Sequence, residues 1–113
     1  MQKMSKYKNK KCNGFDSQKE YLRFLELSNL LKSGKIHSLK CQKPFILLNP
    51  MKKANGRVER GVSYLADFSY IDTLTGKEVV EDVKSKFTAK MPVYILKRKL
   101  MLFIHGIEIK EVI

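Results

Sequence analysis

The sequence predicts an α/β fold whose elements run helix, strand, strand, strand, helix, strand. Three observations carry this order. An apolar stripe at helical spacing fills residues 21–31, two strand-like runs flank a turn at 72–77, and a second helical stripe at 93–105 precedes a final alternating run, 107–113. With 43% hydrophobic and 30% charged residues over 113 positions, the chain reads as globular and large enough for one core. Residues 1–14 read as a basic flexible arm and 15–113 as a single domain.

Each element has its own signal. Ser17 followed by Glu20 is a capping box that opens the first helix, and Tyr21, Leu22, Phe24, Leu25, Leu27, Leu30 and Leu31 form its stripe, which Gly34 ends. Residues 35–43 read as a polar connection from which Ile36 and Leu39 tuck under the sheet edge. Residues 44–50 read as a short first strand, bounded by prolines that suit a strand end or edge, and its near-continuous apolarity suggests burial on both faces. Residues 51–61 form a basic loop around the Asn55-Gly56 turn signal. Strands follow over 58–71 and 78–84, and 85–91 reads as a flexible polar passage. Pro92 suits a helix start. From there Val93, Ile95, Leu96, Leu100, Phe103 and Ile104 are the expected core-facing set, Gly106 is the stop, and His105 is placed to meet the helix dipole.

Charge points to the partner. Lys and Arg number 23 against 11 Asp and Glu, a formal net charge of +12, and so cationic a surface gathers polyanions. The lysine-rich arm, with Lys8, Lys10 and Lys11, could follow a phosphate backbone, as could Lys53 and Arg57 in the basic loop. No apolar run approaches the ~20 residues of a membrane span, and no secretory leader pattern opens the chain, so a cytoplasmic location without membrane contact is expected. Cys12 and Cys41 are too few for a disulfide framework, and His37 and His105 lack partners at zinc spacing.

The chemistry concentrates between Tyr64 and Lys84. Alternation puts Tyr64, Ala66, Phe68 and Tyr70 on one face of their strand, and Leu65, Asp67, Ser69 and Ile71 on the other. In the next strand Val80, Asp82 and Lys84 share a face, opposite Val79, Glu81 and Val83. Two carboxylates on neighbouring strands can hold a hard divalent cation, and an ammonium two residues along can orient a water or neutralise charge on phosphate. The plain alternative is that Asp67 caps a bulge while Asp82 and Lys84 form a solvated ion pair worth at most ~1 kcal/mol.

The order Asp67, hairpin, Asp82-Val83-Lys84 resembles the signature of the PD-(D/E)XK nuclease superfamily. The whole chain is similar to its small phage-encoded members, which are akin to Holliday-junction resolvases. The likeness extends to residues 7–11, Phe15-Asp16-Ser17 with Glu20, Gln42, Ala66-Asp67-Phe68, residues 81–85 and Gly106-Ile107-Glu108-Ile109. Two positions depart from it: Ala66 precedes Asp67 where relatives have proline, and Ser85 stands where they often have glycine.

The resemblance implies a restriction-endonuclease-like αβββαβ core, a mixed central sheet flanked by helices. It implies a Mg²⁺- or Mn²⁺-dependent endonuclease in which Asp67, Asp82 and the Val83 carbonyl hold the ion and Lys84 acts on the water. Glu20 either contributes from the first helix or serves only as a cap. Lys97 is the candidate for facing the scissile phosphate, whereas Arg98 and Lys99 read as solvated. The implied substrate is branched or duplex DNA of a phage within a bacterial cell, and cutting both strands of a junction would call for a homodimer. The competing expectation is a DNA-binding module that kept the fold without the catalysis.

Overall fold

The structure, a computed structural model, describes residues 17–113. Lys8, Lys10 and Lys11 lie outside the described residues. The elements are α1 (Gln18–Lys32), β1 (Ile36–Leu48), β2 (Met51–Lys52), β3 (Val58–Glu59), β4 (Val62–Asp72), β5 (Glu78–Val83), a 3₁₀ turn (Thr88–Lys90), α2 (Pro92–Leu100), a π turn (Met101–His105) and β6 (Lys110–Val112). Strands β1, β4, β5 and β6 form one sheet in that order, and β2 with β3 forms a separate ribbon. The sheet is mixed. β5 and β6 run parallel, with Glu81, Asp82 and Val83 opposite Lys110, Glu111 and Val112, whereas a five-residue connection between β4 and β5 returns the chain antiparallel. The α/β class and the helix–strand order of the main elements are therefore as the sequence predicts.

Two compact units divide the described residues. The first holds 17–39 and 71–77. Here Ser17, in extended conformation, accepts the Glu20 amide hydrogen on Oγ at 3.1 Å, so the expected cap forms. The buried line of α1 is narrower than the stripe suggests: Glu20 and Leu27 are buried, while Tyr21, Leu22, Leu25 and Leu31 are exposed. Seven residues bring a helix back to within ~20° of its starting direction, so Glu20 shares the face of Leu27. Gly34, at φ +79°, closes the helix, with the Lys35 amide donating to the Leu30 carbonyl at 3.0 Å. In the turn, Asp72 Oδ1 accepts the amides of Leu74 and Thr75, a side-chain substitute for backbone pairing.

The second unit holds 40–70 and 78–113. Its core gathers Phe45, Leu47, Tyr64, Ala66, Val80, Tyr94, Met101 and Ile109. Here expectations are corrected in three places. First, 35–43 is not a connection. β1 begins at Ile36 and runs 13 residues, but Ser38 and Gln42 adopt φ of 58° and 53°. Those two left-handed residues interrupt the period-two pattern by which a strand is read. Nor is its apolar end buried on both faces: Phe45 and Leu47 are buried, whereas Ile46 and Leu48 are exposed. Second, only part of the expected set of the last helix faces the core: Ile95 and Leu100 pack against it, Tyr94 and Met101 are buried, and Val93, Leu96, Phe103 and Ile104 are exposed. The regular helix stops at Leu100 and widens into the π turn, so spacing counted through His105 as one α-helix misplaces Phe103 and Ile104, whereas Val93 and Leu96 are exposed within the regular helix itself. Third, the passage after β5 is built rather than loose. Ser85 and Thr88 cap each other reciprocally, the Ser85 amide donating to Thr88 Oγ1 at 2.8 Å and the Thr88 amide to Ser85 Oγ at 3.0 Å.

Pro92 does open α2 and Gly106 does close the π turn, at φ +68°. His105 bonds the Ile46 carbonyl at 2.8 Å and packs edge-on against Phe45, rather than serving the helix end. Among the described residues no helix is long and apolar enough to cross a membrane.

Candidate functional site

β4 and β5 are neighbours in the sheet, and each delivers one carboxylate. Asp67, from β4, accepts the Val83 amide hydrogen on Oδ2 at 2.8 Å and the Gln42 side-chain amide on Oδ1 at 3.4 Å. Asp67 thus stands in for a backbone acceptor opposite β5, which ties three strands together at one side chain. Gln42 reaches it from one of the two left-handed positions of β1.

Asp82, from β5, is 4% exposed. Its Oδ2 accepts the Tyr64 hydroxyl hydrogen at 2.6 Å and lies 3.2 Å from the Lys84 ammonium. Oδ1 has no donor among the described residues. A buried carboxylate oxygen without a partner is costly, so this atom is the natural place for a ligand from outside the protein. The pair with Lys84 is also not the solvated one the plain alternative supposed, since both side chains are largely covered.

The Lys84 ammonium lies 4.3 Å from the centroid of the Tyr94 ring. Tyr94 donates its hydroxyl to Glu111 Oε2 at 2.6 Å, and Arg98 donates to the same oxygen at 3.1 Å. Glu111 is the residue opposite Asp82 in the parallel β5–β6 register. Burial, then the hydrogen bond to Asp82 and its charge, push the Tyr64 hydroxyl far above the usual tyrosine range. Tyr94 moves the same way through burial and Glu111. Glu111 is lowered, first by the Tyr94 hydrogen bond; partial burial opposes this, and Arg98 and Lys84 reinforce it. Both phenols therefore remain donors across the neutral range.

A second acidic group is walled off. Glu81, fully buried, accepts from the Tyr70 hydroxyl, and Lys110 lies 3.8 Å away. Tyr64 and Tyr70 share a face of β4 by alternation, and their partners Asp82 and Glu81 are consecutive in β5. Nearer the hairpin, Glu78 accepts from Lys43 and Ser69; burial raises its carboxyl, but those bonds and the Lys43 and Lys40 charges outweigh it and the net direction is down.

The remaining sequence-derived candidates separate. Val83 meets Asp67 through its amide. Glu20 is buried on α1 in the first unit. Lys97 is half-buried and makes no ion pair among the described residues, whereas Arg98, expected to be solvated, holds Glu111. Lys53 pairs with Glu59 at 3.2 Å on the exposed ribbon, and the Arg57 amide bonds the Asn55 side chain.

Sequence reasoning passed over Tyr94, Glu111 and the Tyr64–Asp82 bond. One signal was present: in the run 107–113, Glu111 falls on the same alternation phase as Ile107, Ile109 and Ile113, a charge where an apolar residue is due.

The donor set decides which ion could fit. Among the described residues no three His, Cys, Asp or Glu side chains converge as a cage. Asp67 and Asp82 supply two carboxylates on neighbouring strands, too few for a closed protein-only site. No curated protein and no solved structure matches the chain. A family model does match, over residues 4–110, and the chain accordingly belongs to the family described as "Protein of unknown function (DUF1064)".

Proposed function

We propose that this chain is a metal-dependent DNA endonuclease of the PD-(D/E)XK kind, on a restriction-endonuclease-like core. The observation that carries the reading is the buried Asp82 carboxylate. Lys84 grips one of its oxygens, the other has no donor among the described residues, and Asp67 is bonded to the amide of the very next residue. The succession of α1, β1, β4, β5, α2 and β6, with the four strands in one mixed sheet, supports the same core, with the β2–β3 ribbon as an addition.

In this reading Asp67 and Asp82 hold Mg²⁺ or Mn²⁺, with the Val83 carbonyl as a further ligand. When bound, such an ion polarises the phosphate and makes an attached water more acidic. Tyr64 fixes the rotation of the Asp82 carboxylate by donating to Oδ2. Lys84 aims a positive charge at the water and at the negative charge that builds on phosphate. Lys97, with no partner in the described chain, meets the DNA backbone, as do Lys53 and Arg57 and the basic arm. Branched DNA of a phage in its host's cytoplasm is the substrate proposed first, and a homodimer would place two such sites on one junction.

The test is cleavage of labelled junction, fork, duplex and single-stranded DNA with Mg²⁺ or Mn²⁺, with and without chelator. Cutting by the unaltered protein should require the ion. Asp67→Ala and Lys84→Ala should abolish cutting while sparing most binding. Cleavage retained in both variants would remove the mechanism. A second reading, a DNA-binding module without catalysis, is favoured by one fact: both Asp67 oxygens are already engaged by Val83 and Gln42. It predicts salt-sensitive, metal-independent binding and no cutting.

A further inference from the structure

We infer that Tyr94, anchored by Glu111, is a positioning residue that fixes the Lys84 ammonium beside Asp82; its catalytic consequence rests on the nuclease reading above. Lysine ends a flexible four-carbon stem, and one carboxylate contact leaves its head free to swing about that contact. Here the head meets both Asp82 Oδ2, at 3.2 Å, and the Tyr94 ring, at 4.3 Å from its centroid. The ring itself is fixed. It is 7% exposed, its hydroxyl is held by Glu111 at 2.6 Å, and Glu111 is held in turn by Arg98 at 3.1 Å.

The register makes the arrangement rigid. Glu111 stands opposite Asp82 across the parallel β5–β6 pair, so the carboxylate that binds Lys84 and the carboxylate that binds Tyr94 ride on neighbouring, hydrogen-bonded strands. Position from a rigid support is what catalytic geometry needs, because a small misplacement of a charged group costs rate rather than affinity. A tyrosine that merely filled the core would need neither its hydroxyl partner nor the ammonium over its face.

Three substitutions separate the parts. Tyr94→Phe keeps the ring and drops the anchor; Tyr94→Leu keeps an apolar core residue and drops the ring; Glu111→Gln leaves Tyr94 in place and weakens its anchor. Two readouts are used on the full chain. The first needs no activity: in ¹H–¹³C spectra the Lys84 ε-methylene, assigned by its loss in Lys84→Ala, should lie upfield under the ring current. It should return to the ordinary lysine position in Tyr94→Leu and stay displaced in Tyr94→Phe. The second is Mg²⁺-dependent DNA cleavage. Loss of the ring should lower kcat by about tenfold with KM changed by less than about twofold, the scale of a partly desolvated cation–π contact converted to a rate. Tyr94→Phe, which drops the anchor, should recover only part of that rate, and Glu111→Gln, which weakens it, should recover more while staying below the unaltered protein.

An unshifted Lys84 resonance in the unaltered protein, or one that Tyr94→Leu leaves in place, overturns the clamp. A shifted resonance with kcat unchanged in Tyr94→Leu overturns the positioning role. A protein that shows the shift and cuts no DNA overturns the nuclease reading, and with it the catalytic half of the inference, while the clamp stands. Should Tyr94→Leu fail to fold, Glu111→Gln and Tyr94→Phe still decide between positioning and filling, since a filler predicts an unchanged kcat in both.

Discussion

Removing one hydroxyl tests how the buried Asp82 is held. Tyr64→Phe keeps the ring in the core and deletes the donor to Asp82 Oδ2 at 2.6 Å. A hydrogen bond to a charged acceptor contributes ~1.5–3 kcal/mol. Lys84 remains on the same oxygen at 3.2 Å, and both Tyr64 and Asp82 are 4% exposed, so water does not easily replace the lost donor. A loss of about 2 kcal/mol follows, which for a chain of this length lowers Tm by roughly 8 °C.

The effect has a pH signature. The Tyr64 hydroxyl in the folded protein is raised above its ordinary value of 10.0 by burial, then by the bond to Asp82 and its charge. A raised folded value means stability fully present below 10.0 and progressively lost above it, as the unfolded tyrosine ionises first. The gap between the unaltered protein and Tyr64→Phe should therefore hold through the neutral range and narrow in alkali. Thermal and urea unfolding of both proteins, with Asp82→Asn and the double variant to complete a cycle, measure it. Stabilities that add to within ~0.3 kcal/mol around the cycle would refute the coupling.

Two further outcomes follow from separate features. Gly61→Ala should lower stability by about 1–3 kcal/mol in urea unfolding, because a β-carbon there would lie 2.6 Å from the Leu48 carbonyl oxygen and 3.2 Å from Pro50 Cδ. An unchanged midpoint would mean that the β1–β4 approach is looser than described. On the ribbon, Arg57→Ala should reduce the slope of log K against log salt for DNA binding by about 0.9, the value of one phosphate contact. Lys53→Ala should reduce it less, because Glu59 already holds that charge at 3.2 Å. Anisotropy titrations over a salt series read both, and equal slopes in all three proteins would exclude the ribbon from the DNA contact.

What could be read from the sequence was what local spacing encodes. The Ser17 cap, Pro92 at a helix start, Gly106 at a helix end and the tyrosine face of β4 each depend on neighbours a few residues away, and all are present. Asp67, Asp82 and Lys84 were singled out as a pattern within two adjacent strands together with the resemblance that pattern carries. What could not be read depends on distant residues. Tyr94 meets Lys84 only through the tertiary fold, and Glu111 stands opposite Asp82 only through a register that no local pattern specifies. The first half of β1 stayed hidden because Ser38 and Gln42 leave the extended region, and Phe103 and Ile104 were misassigned because the π turn changes the residue count per turn.

Those two residues of β1 have a consequence for association. β1 is the outer strand of the sheet and is 13 residues long, the kind of border onto which a second chain can add a strand. Left-handed backbone at Ser38 and Gln42 breaks the straight row of donors and acceptors, Pro44 withholds another donor, and Lys40 and Lys43 add charge. Interruptions of this kind disfavour open-ended strand addition along this border.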